Sequence, residues 1–166
     1  RKSEVSRTFK NFKINQLIDY NKLIHTDSFS SKKASDLLKE TSKSNDILNW
    51  KLPYDFPPSW VYDAILKKQK RGEVNIADPN LHRYISEAIS SIYAAEKIFK
   101  SNKFSLVLMS HNINYSYGSI VWLAIKHNIP VVVLLGDMGA LKFYKNLNKK
   151  VLFSSVVHNL ADETLS

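Results

Sequence analysis

Two groups of small and polar residues each follow a short apolar run in the second half of the chain. The first group is Ser110, His111 and Asn112, and the second is Gly136 and Asp137. His111 fits a general base or a partner for a substrate hydroxyl, although a structural histidine satisfied by nearby backbone is somewhat more common. Asp137 fits either a group that holds a sugar hydroxyl or an ordinary turn residue. Both groups are therefore candidates for a ligand site.

The segment between the two runs leads into a predicted helix. Tyr115, Gly118 and Ser119 lie at the start of that helix, where unpaired backbone N–H groups favour an anion. The chain has neither a G-x-G-x-x-G nor a G-x-x-x-x-G-K-[ST] motif, and no serine lies in a G-x-S-x-G elbow. Its five histidines are never spaced i, i+4 and it has no cysteine. We therefore expect no metal and no cofactor.

The apolar runs and the segment between them predict a strand, a helix and a strand. The runs FSLVLM and IPVVVLLG show no polar alternation, which is typical of strands buried on both faces. Between them, apolar residues recur at helical spacing, with Asn128 near the expected C-cap and Pro130 beyond it. Such a βαβ unit has parallel strands and a right-handed crossover. The sequence thus predicts an α/β fold whose ligands gather beyond the carboxyl ends of the strands.

Helical spacing also appears before this unit. Residues 3–25 predict an amphipathic helix. Residues 78–103 show the most regular pattern in the chain, with Asp78 as N-cap and Pro79 at the first helical position. Residues 27–46 are rich in Ser and Lys and are typical of a surface loop with one brief helix.

Residues 50–62 combine three prolines with five aromatic residues and have no regular period. This composition favours an irregular clamp that fastens a loop over a platform that stacks sugars or bases. Residues 149–157 predict one further strand. We expect one domain over residues 1–166, with a helical N-terminal part (1–49), an irregular segment rich in proline and aromatic residues (50–76), and a helix plus βαβ unit (78–157).

Composition limits the classes of function. The net charge of +9 is spread along the chain, so we do not expect a nucleic-acid partner. The one basic cluster, Leu66–Arg71, is more typical of a solvated helix end than of a phosphate or lipid contact. The lack of cysteine fits a reducing compartment, and the apolar runs are too short to cross a bilayer, so we expect a cytoplasmic protein. Because the chain begins with Arg1 and ends on polar residues, we expect a piece of a longer protein.

Residues 50–135, about half the chain, resemble the N-terminal half of bacterial glycosyltransferases that build capsules and lipopolysaccharides. The motif G-D-x-x-Y-D-x-x-L-R is matched by Tyr62, Asp63 and Leu66, although Pro58-Ser59 replaces Gly-Asp and Lys67 replaces Arg. A strand that ends in Ser-His, a glycine before the next helix and an A-x-x-x-G-I-P-V strand are also typical of the family. Here they are matched by Ser110, His111, Gly118, Ala124, Ile129, Pro130 and Val131, with Asn128 in place of the glycine.

The resemblance implies a Rossmann-like three-layer α/β/α domain with a mainly parallel sheet, facing a second such domain across a cleft. A nucleotide sugar would then bind largely to the second domain, while this chain would position the glycan acceptor. In this hypothesis His111 is the candidate base, and Asp63 and Asp137 hold acceptor hydroxyls. The isolated chain should be nearly inactive. It could attach peripherally to the anionic inner membrane, and its exposed cleft face could be buried by self-association.

A second hypothesis is a non-catalytic, Rossmann-like module that binds a nucleotide or phosphate near Gly118.

Overall fold

Helices make up most of the described structure, and a small sheet accompanies them. The computed structural model describes residues 20–24, 27–109, 114–135 and 140–144. The helices are α1 (Tyr20–Leu23), α2 (Ser28–Lys39), α3 (Pro58–Gln69), α4 (Leu81–Ser101) and α5 (Asn114–Lys126). Two short 3₁₀ segments, Ser44–Asn49 and Pro53–Asp55, connect α2 to α3. The strands are β1 (Val107–Met109), β2 (Val131–Leu135) and β3 (Ala140–Tyr144).

The predicted three-layer, Rossmann-like α/β/α domain with a mainly parallel sheet is wrong. The described sheet has three short strands in the order β1-β2-β3. Strand β1 pairs with β2 in parallel, with Val107 opposite Val131, whereas β2 pairs with β3 in antiparallel fashion, with Val131 opposite Tyr144. The βαβ unit itself is confirmed, because α5 connects the two parallel strands. The described chain is therefore a mainly helical structure that contains one βαβ unit.

The long helix α4 lies at the centre of the structure. Its buried residues surround most of its circumference, and both α2 and α5 pack against it. The sequence predicted this helix correctly but placed its start too early. Asp78 forms a turn before the helix: its carboxylate accepts a hydrogen bond from the Asn80 N–H (2.8 Å), and its carbonyl accepts one from the Leu81 N–H (2.9 Å). The first helical residue is therefore Leu81 and not Pro79.

The predicted loop over residues 27–46 contains a helix of three turns. Asp27 caps α2, because its carboxylate accepts a hydrogen bond from the Ser30 N–H at 2.6 Å. The residues that α2 buries fully are small: Ser30 is 1% exposed and Ala34 is 0% exposed. The prediction of one brief helix in this range is therefore confirmed, but the helix is longer and the loop shorter than the sequence indicated.

The segment predicted to be irregular, residues 50–76, contains helix α3. Pro57 is the N-cap and Pro58 the first helical residue, where the missing N–H has no cost. The rings of Phe56, Trp60 and Trp122 meet edge to face, with centroids 5.6 to 6.3 Å apart. These contacts favour the clamp interpretation, whereas the prediction of irregular structure is wrong over Pro58–Gln69.

The end of α5 follows the predicted pattern. Asn128 adopts a left-handed backbone conformation with φ of 59°. Its N–H bonds to the Ile125 carbonyl, and the Ile129 N–H bonds to the Ala124 carbonyl, which forms a Schellman cap. The sequence did not predict β3. The helix predicted over residues 3–25 lies mostly outside the described residues, and the strand predicted over 149–157 lies entirely outside them.

The basic cluster Leu66–Arg71 is the C-terminal end of α3, as the helix-end interpretation predicted. Lys70 ends the helix in a left-handed conformation with φ of 54°, and the Arg71 N–H bonds back to the Leu66 carbonyl. None of the helices in the described part of the chain has both the length and the apolar character needed to cross a membrane.

Ile65 on α3 is fully buried in the core. Its substitution should therefore clearly lower the stability of the protein. We expect Ile65→Ala to lower the free energy of unfolding by about 2–5 kcal/mol, because it removes buried methyl groups and leaves a cavity. The matched control is Ile76→Ala, since Ile76 is 39% exposed. Urea unfolding of both variants would measure the difference, and equal losses would contradict the packing of α3 described above.

Candidate functional site

The carboxyl ends of the two parallel strands lie at the same edge of the sheet. Because β1 and β2 are parallel, β1 ends at Met109 and β2 ends at Leu135 on the same edge. Helix α5 begins at Asn114, shortly after β1 ends. This edge is where the sequence predicted ligand binding. The predicted residues Ser110, His111, Asn112, Gly136 and Asp137 lie outside the described residues.

Tyr115 is the predicted site residue with the most informative surroundings. It lies in the first turn of α5 and is 4% exposed. Its hydroxyl donates a hydrogen bond to Oε2 of Glu87 on α4, at 2.9 Å. Burial and the neighbouring Glu87 carboxylate hold the pKa of Tyr115 above its ordinary value. Tyr115 therefore remains a protonated hydrogen-bond donor at neutral pH.

Glu87 connects three helices. Besides Tyr115, its carboxylate accepts a hydrogen bond from Lys68 on α3 and forms an ion pair with Arg83 at 3.6 Å. The ammonium of Lys68 and the guanidinium of Arg83 also lie over the ring of Tyr84, at 4.8 and 5.1 Å from its centroid. We call these five residues, Lys68, Arg83, Tyr84, Glu87 and Tyr115, the Glu87 cluster.

The charge state of Glu87 follows from these contacts. Partial burial by itself raises the pKa of a carboxyl group, but the hydrogen bonds from Lys68 and Tyr115 and the charges of Lys68 and Arg83 outweigh it. The pKa of Glu87 therefore lies below its usual range, and the group is ionised at neutral pH. Such a carboxylate accepts hydrogen bonds well and is a weak general base.

Ser119, another predicted site residue, belongs to a buried group of hydroxyls. Its Oγ lies 2.8 Å from the Tyr20 hydroxyl and 2.9 Å from Oγ of Ser91. Ser91 also donates to the Tyr115 carbonyl at 3.1 Å. All the buried side-chain nitrogen and oxygen atoms in the described residues have a hydrogen-bond partner. Ser119 therefore joins α1, α4 and α5, and its hydroxyl is fully used within the protein.

The other two described residues from the predicted site lie in different surroundings. Gly118 is buried within α5. Asp63 is exposed on α3, the helix that also carries Lys68, and partial desolvation raises its pKa. The structure thus brings Tyr115 into a charged cluster and leaves Asp63 on the surface.

Sequence reasoning missed the Glu87 cluster, although part of it was detectable. Glu87 follows Arg83 by four residues and Tyr84 by three, so both side chains lie one helical turn before Glu87 in the predicted helix. The contacts with Lys68 and Tyr115 depend on how three helices pack, and no local pattern contains that information.

A second group of charges lies where α4 and α5 end. Glu96 is 7% exposed, and its carboxylate binds His127 at 2.8 Å and Lys100 at 3.1 Å. Burial raises the pKa of Glu96, but the hydrogen bonds and charges of His127 and Lys100 outweigh it, so the pKa lies below its usual range. The His127 ring also stacks on Phe99 at 5.8 Å. These contacts fasten the ends of the two helices to each other.

Comparison of the chain with protein-family models, with curated proteins and with solved structures found no match. The resemblance to polysaccharide glycosyltransferases is therefore an untested prediction. Within the described ranges, no group of three or more His, Asp or Glu side chains is placed to hold a metal ion.

The lowered pKa of Glu87 predicts a pH-dependent contribution to stability. A carboxyl group whose pKa is lowered on folding stabilises the protein above its ordinary value of 4.5, and this contribution is lost as the pH falls through the folded-state pKa. We expect Glu87→Gln to lower the free energy of unfolding at neutral pH and to approach wild type as the solution is acidified below 4.5. Urea unfolding across this range measures the effect.

The control for this prediction is Glu40→Gln, because Glu40 is exposed at the end of α2. It should change the free energy of unfolding by no more than about 0.5 kcal/mol. A loss in Glu87→Gln that stayed constant into acid would show that the lost stability comes from packing and not from the carboxylate charge.

Proposed function

We propose that this chain is part of a glycosyltransferase of surface-polysaccharide biosynthesis and that it binds the glycan acceptor. The Glu87 cluster supports the proposal most directly, because Tyr115 connects it to the first turn of α5, the helix that follows β1 after the edge where the two parallel strands end. This is the same edge to which the sequence assigns His111 and Asp137. The motifs at Tyr62, Asp63 and Gly118 provide the sequence support for the class of enzyme.

The chemistry of the cluster suits a sugar. The ionised carboxylate of Glu87 accepts hydrogen bonds from hydroxyl groups, while Lys68 and Arg83 donate to hydroxyl oxygens. The Tyr84 ring lies under the cationic groups of Lys68 and Arg83 and helps to hold them in position. Glu87, Lys68 and Tyr115 hold one another in position, so little freedom is lost when a ligand binds.

The roles within the proposed reaction follow from charge. A general base works best when its pKa is near the working pH, and the lowered pKa of Glu87 makes that residue unsuitable. In our proposal Glu87 binds the acceptor, and the base that removes the proton from the acceptor hydroxyl is His111. The nucleotide-sugar donor then binds mainly to a second domain outside this chain.

One observation favours a second candidate function. Two cations, Lys68 and Arg83, surround the single carboxylate of Glu87 close to the first turn of α5, so a phosphate would also be attracted. In this case the chain is a non-catalytic module that binds a nucleotide or phosphate. The two functions differ in the group that the cluster recognises, which makes them experimentally distinguishable.

The binding experiment uses the ¹⁵N-labelled chain, followed by NMR during titration with maltotetraose, chitotetraose, UDP-glucose or inorganic phosphate. We expect a saccharide to shift the amide signals of Glu87 and Tyr115. Substitution of Lys68→Met should weaken this binding by about tenfold, the typical contribution of one charge-assisted hydrogen bond. The matched control Lys67→Met, at the exposed neighbouring position, should leave it unchanged.

Two results would count against acceptor binding. If phosphate alone shifts the same signals and Lys68→Met abolishes that effect, the second candidate function is favoured. If none of the saccharides shifts the signals of the Glu87 cluster, the acceptor proposal is wrong.

The proposed role of His111 predicts a separate effect on catalysis. In a protein that contains this chain and its second domain, we expect His111→Ala to reduce kcat for sugar transfer by about 100-fold or more. A general base typically contributes a factor of this size to the rate. The affinity for the acceptor should hardly change. Unchanged kcat in a correctly folded variant would remove His111 from the mechanism.

A further inference from the structure

A small cleft lies between α2 and α4, on a side of the molecule that the proposed function does not use. Its volume is 140 Å³, and the apolar side chains of Leu37, Pro53 and Ile89 line part of it. Complete sites for small molecules usually measure about 300–1,000 Å³. The cleft is therefore large enough for only one ring-sized group of a larger ligand.

The charged side chains that line the cleft balance one another. Lys33 and Lys51 contribute two ammonium groups, and Asp36 and Glu40 contribute two carboxylates. A site without net charge does not favour a phosphate or a strongly acidic ligand over a neutral one. It offers both hydrogen-bond donors and acceptors, which is what a ligand with several hydroxyl groups requires.

A row of three aromatic rings adjoins the cleft. Phe29 meets Tyr93 edge to face at 5.2 Å, and Tyr93 meets Tyr54 in the same way at 5.8 Å. Lys33 links this row to the cleft, because it lines the cleft and its ammonium lies 5.3 Å from the centroid of Phe29. Phe29 is 50% exposed, so the row has apolar surface that a ligand can contact.

The backbone beside the cleft is strained. Tyr54 and Asp55 both adopt left-handed backbone conformations, with φ of 57° and 54°. Residues other than glycine rarely adopt this conformation. Their positions are fixed from α5: the Trp122 indole N–H donates to the Tyr54 carbonyl at 3.1 Å, and Lys126 pairs with Asp55 at 2.6 Å. Strain of this kind persists only where surrounding contacts enforce it, and it is frequent at ligand clamps.

From these four observations we infer that the cleft between α2 and α4 binds one ring of a neutral saccharide. The ring hydroxyls bond to the balanced lysines and carboxylates, and the C–H faces contact the aromatic row. This site is separate from the Glu87 cluster. Ile89 follows Glu87 by two residues on α4, a rotation of about 200° around the helix axis. The two side chains therefore leave nearly opposite sides of the helix. The inference does not rest on the proposed function.

Other ligand classes fit the cleft less well. A peptide helix binds through a row of apolar anchors in a long groove, whereas this cleft is short and has more charged than apolar lining residues. A nucleotide would bring a phosphate to a site whose charges cancel, so its charge would gain little there.

The test compares three variants with wild type during NMR titration of the ¹⁵N-labelled chain with maltotetraose and chitotetraose. We expect at least one of these sugars to shift the amide signals of Lys33, Lys51 and Tyr93. Substitution of Lys33→Ala should weaken that binding by about tenfold, whereas Lys32→Ala, at the exposed neighbouring position on α2, should not. Lys68→Met, which alters the Glu87 cluster, should also leave this binding intact.

Each other outcome would overturn the inference. Absence of shifts at the cleft with either sugar at millimolar concentration would exclude the saccharide class. Equal effects of Lys33→Ala and Lys32→Ala would place the binding elsewhere. Displacement of the sugar by uridine monophosphate, with stronger binding of the nucleotide at the same residues, would identify a nucleotide site instead. Because Lys33→Ala and Lys68→Met report on different surfaces, failure at one site leaves the result at the other intact.

Discussion

The contact between α4 and α5 is the constraint on which the rest of the structure depends. Small residues allow the two helices to approach closely, and there Ser91 and Ser119 share a hydrogen bond of 2.9 Å that Tyr20 completes. A buried hydroxyl that loses its hydrogen-bond partner destabilises the folded protein. The three hydroxyls therefore fix the position of α5 along α4. Since α5 also connects β1 to β2, the same contact positions the sheet.

The sequence was informative where the periodic signal was strong and local. Helix α4 and the βαβ unit were predicted because large apolar residues recur at regular intervals and clear breaks separate them. Helix α2 was predicted only as one brief helix in a loop, and the residues it buries fully, Ser30 and Ala34, are small. The start of helix α3 was missed because Pro57 and Pro58 mark the start of a helix as well as they mark an irregular segment, although the basic end of α3 was predicted. The fold class was wrong because helices make up most of the described structure, whereas its sheet has three short strands and a single parallel pair.

Local sequence patterns predicted part of the site, and the rest depends on how the helices pack. Apart from Asp63, the residues named from the sequence follow the predicted strands or start the predicted helix between them, because simple rules of α/β structure point to such positions. Tyr115 was among them, but the carboxylate that binds it was not. Glu87 lies in the middle of a helix, and its partners Lys68 and Tyr115 come from two other helices. A pairing of this kind exists only after the helices have packed.

Helix α4 also divides the proposed functions between two surfaces. Glu87 contacts α3 and α5, whereas Ile89 and Tyr93 lie towards α2 and the Pro53–Asp55 turn. A ligand at either surface would therefore contact side chains of the same helix. The ends of α4 and α5 are fastened by Glu96, His127 and Lys100, and Lys126 beside His127 holds the strained Asp55. Because these groups belong to one connected set of contacts, the cleft and the Glu87 cluster should keep a fixed geometry relative to each other, as two separate sites on a single framework.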